Sequence, residues 1–507
     1  MLAGTPTHHG QSSSNTACAE LASLDRDTSM NLRRLLATVF VILLLLLTLL
    51  AGHVEARPAP RSPPRRHLWT GDEPENSADD YHNTRHYAHR KLGAKSKTPK
   101  NSTKGGGIQF DVGSFGAAGD GETDDTGAFQ KAWSEACSSE KPAVVVVPAG
   151  KSYLLQETSL SGPCKSKVTF KLDGTLVAPE DKSGFSKEGH PHWISFNGVD
   201  GLTVTGKGAM DGRGKSSWKN SCRRNHKMPC TFAPAALTFT SCNHLKVENI
   251  KLLNAPQIHL WVEFSSDVTL SRLTINSPGD SPENDGIHVA HSDGVRILGA
   301  KIKAGDDCLS VALGTSNLYA TKIECGPGHG ISIGSLGKGS TKAEVSNVTV
   351  NGAHVSGTLF GARIKTWQGG TGYARDIKFQ NMVMDKVKNP IVIDQNYCTT
   401  SDPSKPKACG GKQESAVEIS NVEFSNIRGT SVNRDAIRLH CSEAFPCRGV
   451  VLKDVDLKTK GGGEKNAATS TCENAVLGET SNVSPAPCSS AATKEDLVPL
   501  GSEDGDV

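Results

Sequence analysis

The chain is poor in aromatic residues, has no charge excess and lacks a metal motif. Phe, Trp and Tyr make up 5% of its 507 residues, so its core has to be aliphatic. Lysine and arginine number 56 against 53 acidic residues. That balance gives no whole-protein case for nucleic acid or any other polyanion. No CxxC pair or histidine cluster supports zinc, and no cofactor is expected. The glycine-rich turn Gly116–Gly121 contains neither G-K-[ST] nor G-x-G-x-x-G, which leaves phosphate binding little weight. Helical patterning is scarce. One amphipathic stripe, Ala128, Phe129, Ala132, Trp133 and Ala136, follows Thr123-Asp-Asp-Thr, whose acids and hydroxyls suit a helix N-terminus.

What is present begins with an address. Met30 precedes Arg33 and Arg34, then the apolar run Leu35–Gly52, then the small-residue site Val54-Glu55-Ala56. This reads as a secretory signal. The run is about 18 residues, at the lower edge for a membrane span, so a retained anchor is the alternative. Residues 1–29 read as an extension upstream of the usual start. Residues 57–107, with R-P-A-P-R-S-P-P-R-R at 57–66, read as a linker or propeptide. Secretion makes the cysteines disulfide candidates. Sequential pairing gives Cys137–Cys164, Cys222–Cys230, Cys308–Cys325, Cys398–Cys409, Cys441–Cys447 and Cys472–Cys488, with Cys242 left as a small buried hydrophobe. Asn101, Asn347 and Asn482 head glycosylation motifs.

From Ala143 on, the chain is strand after strand. A unit of two apolar residues flanking a polar one, two intervening residues, then the same again, appears at Leu245/Val247/Ile250/Leu252. Further copies start at Val268, Val295, Leu318, Val348, Ile377, Val417 and Val450. A drifting period in the twenties and thirties, with strands and no helices between, predicts an all-β parallel β-helix over 108–460. The leucine/asparagine consensus of leucine-rich repeats is absent. The helix near Thr123 is expected to cap the open end, and 461–507 to form a loose polar tail.

Asp285, Asp307 and His329 are spaced 22 residues apart. Each precedes by two residues an apolar pair: Ile287/Val289, Leu309/Val311 and Ile331/Ile333. Equal offset on successive turns predicts one column, with neighbouring turns ~4.8 Å apart and Asp306 one residue aside. Clustered carboxylates are the equipment for acid/base cleavage of a glycosidic bond, and crowded acids raise at least one pKa. In R-I-K at 363–365 the inward Ile364 turns Arg363 and Lys365 outward, a cationic wall that suits an acidic sugar.

S-P-E-N-D-G-I-H at 281–288, G-D-D-C at 305–308, C-G-P-G-H-G-I-S-I-G-S-L-G at 325–337 and R-I-K-T-W at 363–367 resemble, in order, the four motifs of the polygalacturonases. F-D-V-G-S-F-G-A-A-G-D-G-E-T-D-D-T-G-A-F at 110–129 resembles the N-terminal stretch of plant-type members. The resemblance covers roughly Ile108 to Leu457. It implies a right-handed parallel β-helix that hydrolyses α-1,4 bonds of polygalacturonate, a pectic polysaccharide, with inversion. It implies Asp306 as general acid, Asp285 and Asp307 as the residues activating water, and His329 as the residue tuning the acid. Arg363 and Lys365 would bind substrate carboxylates, and Tyr397 would shape the sugar site. A monomer without a metal ion is expected. One departure stands out: the family pattern has Asn-Thr before the first aspartate, and this chain has Glu283 and Asn284, a carboxylate added beside the site. A lyase or a non-catalytic wall-binding protein would share the groove, but the ordered acid, histidine and R-I-K motifs favour hydrolysis.

Overall fold

The computed structural model describes residues 107–185, 191–225, 227–398, 416–461 and 467–488. The signal run, Asn101 and nearly all of the expected linker lie outside the described residues. Among the described residues no helix is long and apolar enough to cross a membrane.

The chain coils as a parallel β-helix whose described strands form two long parallel sheets, of 18 and 11 strands. Inward-facing residues stack turn upon turn. In the 11-stranded sheet one stack runs Leu260, Ile287, Leu309, Ile331, Ala362, Ile391, Ile437, each at most 1% exposed. Burying such a side chain contributes about 1.5–3 kcal/mol, so the aliphatic pattern sets the register.

The two intervening residues of each repeat form a corner. One of them takes positive φ: Asn249 at 63°, Arg272 at 51°, Gly299 at 81°, Lys322 at 56°, Gly352 at 78°, Asn381 at 54° and Asp454 at 53°. The copy expected to start at Val417 is instead in register from Val422, which pairs with Ile377, and its corner is Asn426 at 49°. The corner lets both apolar pairs of a repeat face the same interior. The left-handed region costs most L-residues about 1–2 kcal/mol, and Asn adopts it most readily after glycine. Stacked left-handed residues also bond one another: Asn426 Nδ2 donates to Asn381 Oδ1 at 2.6 Å at the corner, and Asn347 Nδ2 to Asn317 Oδ1 at 2.6 Å just before their repeats begin.

The expected helix runs Thr126–Ser138 and buries Ala128, Phe129, Ala132, Trp133 and Ala136. Asp125, at its N-terminus, does not cap it. Its carboxylate instead accepts from Ala118 N (2.6 Å) and Gly119 N (3.1 Å), holding the glycine-rich turn. Many of the scarce aromatics gather under this helix, where Phe129 meets Tyr153 and Trp133 meets Phe196 edge to face.

Five of the six expected disulfides are present: Cys137–Cys164, Cys222–Cys230, Cys308–Cys325, Cys441–Cys447 and Cys472–Cys488. Cys398 is disulfide-bonded, while its expected partner Cys409 lies outside the described residues. Cys242 is free and buried. The coil does not stop near 460. Strands Thr469–Glu473 and Ala475–Ser484 add another turn, pairing with Asp435–His440 and Cys447–Thr459. These strands are largely polar and half-exposed, so they lack the apolar alternation that marks the other turns.

Candidate active site

The aspartates stand where the chain enters successive strands of the 11-stranded sheet. Ile287 pairs with Leu309 and Leu309 with Ile331, as the 22-residue spacing predicts. The column of Asp285, Asp307 and His329 nevertheless does not form. Cys308 is an extra residue in its strand, so Asp307 pairs with Gly330 and the register shifts before Leu309. His329 therefore lies opposite Asp306. Its backbone N–H donates to Asp306 O (2.8 Å) and its Nδ1 lies 2.6 Å from Asp306 Oδ1. Gly328 makes this approach possible: it takes φ 134°, and a Cβ there would stand 2.4 Å from Asp306 O.

Asp307 is 2% exposed and fully engaged. Its Oδ1 accepts from Ser332 Oγ (2.8 Å) and Arg363 Nη2 (2.7 Å), and its Oδ2 accepts from Lys365 Nζ (2.7 Å). Arg363 and Lys365 point outward in the strand Phe360–Trp367, as the R-I-K alternation requires, but they close on Asp307 instead of forming a separate wall. Arg363 also lies over the Phe360 ring at 4.0 Å, and Lys365 lies 5.6 Å from the Tyr397 ring. Tyr397 meets Trp367 edge to face.

Asp285 is held from both sides. Its carbonyl accepts from His259 N (2.9 Å) and lies 2.8 Å from His259 Nδ1. A carbonyl only accepts, so Nδ1 carries the proton and Ser277 Oγ donates to Nε2 (2.8 Å). Burial pushes His259 down to about 4 and keeps it neutral. The Asp285 carboxylate accepts from Ser310 Oγ at 2.8 Å, and His288 Nδ1 lies 2.6 Å from that same hydroxyl. Asn284, fully buried, donates to Ala255 O (2.8 Å) and Gln257 O (2.5 Å) and pins the loop.

The Asp307 amide lies 3.3 Å from Asp285 Oδ1 and 2.9 Å from Asp306 Oδ1. These two oxygens are therefore closer than the ~6.5–9.5 Å usual between acid and base in inverting glycosidases. Asp306 does not stand away from Asp285, as sequence spacing implied; the bulge turns both carboxylates toward one amide. Burial, reinforced by the Asp306 and Asp307 charges, raises the Asp285 pKa above its ordinary value. Burial also pushes Asp306 upward, but His329 with Lys365 and Arg363 outweighs it and holds Asp306 at about 2. His329 is lowered by burial and raised more by Asp306, so its net shift is upward. Burial, reinforced by the crowded charges, thus lifts Asp285, while Asp306 rests as the carboxylate of an ion pair.

Ligand atoms of Asp306, Asp307 and His329 lie within 4.8 Å of one another. Arg363 and Lys365 bring two positive charges to this cluster through their ion pairs with Asp307. Glu283, the added carboxylate, takes φ 52° and is met by Arg223 at 3.2 Å, from the loop closed by Cys222–Cys230. Sequence reasoning passed over Ser310, Ser332 and His288 as contributors. Their signal is positional, since each is the outward residue between two inward ones in L-S-V, I-S-I and I-H-V.

The glycosyl hydrolases family 28 model matches residues 137–485. Polygalacturonase-2 of Solanum lycopersicum is 45% identical over 400 residues, 79% of this chain and 84% of its own. A polygalacturonase of Malus domestica is 49% identical over 348 residues, 68% of this chain and 74% of its own. Among solved structures, the endo-xylogalacturonan hydrolase of Aspergillus tubingensis aligns with TM-score 0.61 at 22% identity, over 74% of this chain and 99% of that one. The Erwinia carotovora polygalacturonase aligns with TM-score 0.58 at 23% identity, over 71% of this chain and 94% of that one. These two share the fold. By its matched length and its relatives, the chain belongs to the glycosyl hydrolases family 28.

Proposed function

We propose that this protein is a secreted polygalacturonase that cleaves α-1,4 bonds of pectic polygalacturonate in the cell wall, as a monomer without a metal ion. The observation that carries this reading is the convergence of Asp285, Asp306 and Asp307 with His329, Arg363 and Lys365 on one face of the coil.

In the resting site both cations are spent on Asp307. A uronate carboxylate entering the groove competes for them. As their charge turns to the substrate, Asp306 loses part of what holds its pKa down and takes the proton from His329. Asp306 then protonates the leaving glycosidic oxygen as the bond to the anomeric carbon breaks. Asp285, steadied by Ser310 and beside Asp307, accepts a proton from the water whose oxygen attacks that carbon. Its raised pKa makes it a stronger base than an ordinary carboxylate. The oxygens of Asp285 and Asp306 that share the Asp307 amide stand closer than is usual for inversion, so inversion here follows from the motif resemblance and is read out by the anomer first formed.

The test is digestion of de-esterified polygalacturonate by residues 57–507. Reducing ends, viscosity, unsaturated-uronate absorbance and the anomer first formed are followed together. New reducing ends without absorbance, starting as the β anomer, support this reading. An unsaturated product would make the enzyme a lyase, and an α anomer would make it retaining.

A further inference from the structure

Asp285 and Asp307 are each met by a serine from the next turn. Ser310 Oγ donates to Asp285 Oδ2 and Ser332 Oγ to Asp307 Oδ1, both at 2.8 Å and both across 25 residues of sequence. The two serines are neighbours in one outward row, which runs Trp261, His288, Ser310, Ser332 and Arg363 across five strands. Each serine is flanked in that row by a nitrogen base. Arg363 Nε donates to Ser332 Oγ at 3.0 Å, and His288 Nδ1 lies 2.6 Å from Ser310 Oγ.

A serine hydroxyl carries a single proton. An ionised Asp285 only accepts, so that proton points at Oδ2. Ser310 then turns a lone pair toward His288, and Nδ1 carries the N–H that meets it. The order is His288 N–H to Ser310 O–H to Asp285, the same as Arg363 N–H to Ser332 O–H to Asp307. The two chains differ in their cation. Arginine is permanently charged, whereas an imidazole gains its charge, here on Nε2, only in acid.

The other charged groups around Asp285 are engaged elsewhere. Arg363 and Lys365 lie 2.7 Å from Asp307, His329 faces Asp306, and Arg223 meets Glu283. His259 bonds the backbone carbonyl of Asp285 and is neutral. On the other flank of His288 stand Trp261, edge to face at 5.2 Å, and beyond it His192, which burial keeps lowered, and Glu263, bonded to Thr240. Burial and then the Asp306 and Asp307 charges push Asp285 up, and His288 opposes them. The two oxygens of Asp285 are also unequal. Oδ2 holds the Ser310 hydroxyl at 2.8 Å, while Oδ1 has a long 3.3 Å contact with the Asp307 amide.

We propose that His288 is a positioning residue for the base: through Ser310 it fixes Asp285 Oδ2, leaves Oδ1 to take the proton of the attacking water, and in its charged form keeps Asp285 ionised in acid. This rests on the polygalacturonase reading and deepens it.

The experiment follows kcat/KM on polygalacturonate against pH for the full chain, a profile that reports the base of the free enzyme. Losing the cation raises the Asp285 pKa further. In His288→Leu and in Ser310→Ala the acidic limb is therefore expected to move up by about one pH unit, a tenfold loss at any pH on that limb. The double variant is expected to move no further, because either change breaks the same chain. His288→Asn keeps an N–H for Ser310 without the charge. It is expected to recover part of the rate that His288→Leu loses above the limb, with the limb still raised. Limbs that stay in place, losses equal at every pH, or a double variant that moves twice as far overturn the proposal and leave the hydrolase intact. The hydrogen-bond order is read without activity, from the ring-nitrogen resonances of histidine-labelled wild-type chain, assigned by the signal lost in His288→Asn. A protonated Nδ1 is expected, and a bare Nδ1 overturns the proposal even where the other variants fail to fold. No reducing ends from the wild-type chain overturns both this proposal and the polygalacturonase reading.

Discussion

His329 Nδ1 lies 2.6 Å from Asp306 Oδ1, and the two hold one proton between them. Because Asp306 is lowered to about 2 and His329 is raised, that proton rests on the imidazole before substrate binds. Replacing His329 by Gln keeps a donor but removes the proton reservoir. The kcat of His329→Gln is expected to fall about 10²-fold with KM little changed. Steady-state rates on polygalacturonate check this, and an unchanged kcat would mean that Asp306 draws its proton from elsewhere.

The pH profile follows from the same groups. Asp285 must be ionised to act as base, so activity fails as pH falls through its pKa, which lies above 3.8. The Asp306–His329 pair must keep its proton, so activity fails as pH rises through the His329 pKa, above 6.5. Stability carries the same sign for His329. A raised imidazole pKa stabilises the fold fully below 6.5 and loses that contribution as pH rises through the folded value. The melting deficit of His329→Gln is therefore expected at pH 5 and should shrink at higher pH. A deficit that grows with pH would refute the assignment.

Asp307 and Asp285 should respond oppositely to the same substitution. Asp307→Asn leaves Arg363 and Lys365 buried without their carboxylate, and a loss of about 3–5 kcal/mol is expected. Asp285→Asn removes a carboxylate whose ionisation burial and like charge oppose. Its melting temperature near neutral pH is expected to hold or rise while activity is lost. Thermal unfolding of the two variants side by side decides it.

Glu283 brings little net charge to the site because Arg223 meets it at 3.2 Å. Both side chains are about one-third exposed, so the pair is worth less than about 1 kcal/mol. Glu283→Asn is expected to leave stability unchanged within that margin and to alter kcat/KM on polygalacturonate less than about threefold. Arg223→Ala, which uncovers the carboxylate, is expected to raise KM for the anionic polymer more than Glu283→Asn does. The reverse order would show that Glu283 acts other than through its charge.

The aliphatic repeats announced the coil because a parallel β-helix buries the same strand position on every turn, so burial writes itself into the sequence as a period. The corner residues were legible as a gap of two, and their Asn, Asp and Gly content has a backbone reason. The last turn, Thr469–Ser484, was not legible. Its strands are held mainly by backbone pairing to the preceding turn, which leaves no apolar pattern behind.

At the site the sequence alone determined which groups gather: three carboxylates, an imidazole and two cations, brought together by turns of near-constant length. It did not determine how they pair. A single extra residue, Cys308, moves His329 from Asp307 to Asp306, and a count of spacings passes over a bulge because the flanking apolar pairs remain in phase. Which acid is lifted and which is held down depends on hydrogen bonds and burial across four strands. Those distances of 2.6–3.3 Å exist only once the coil has closed.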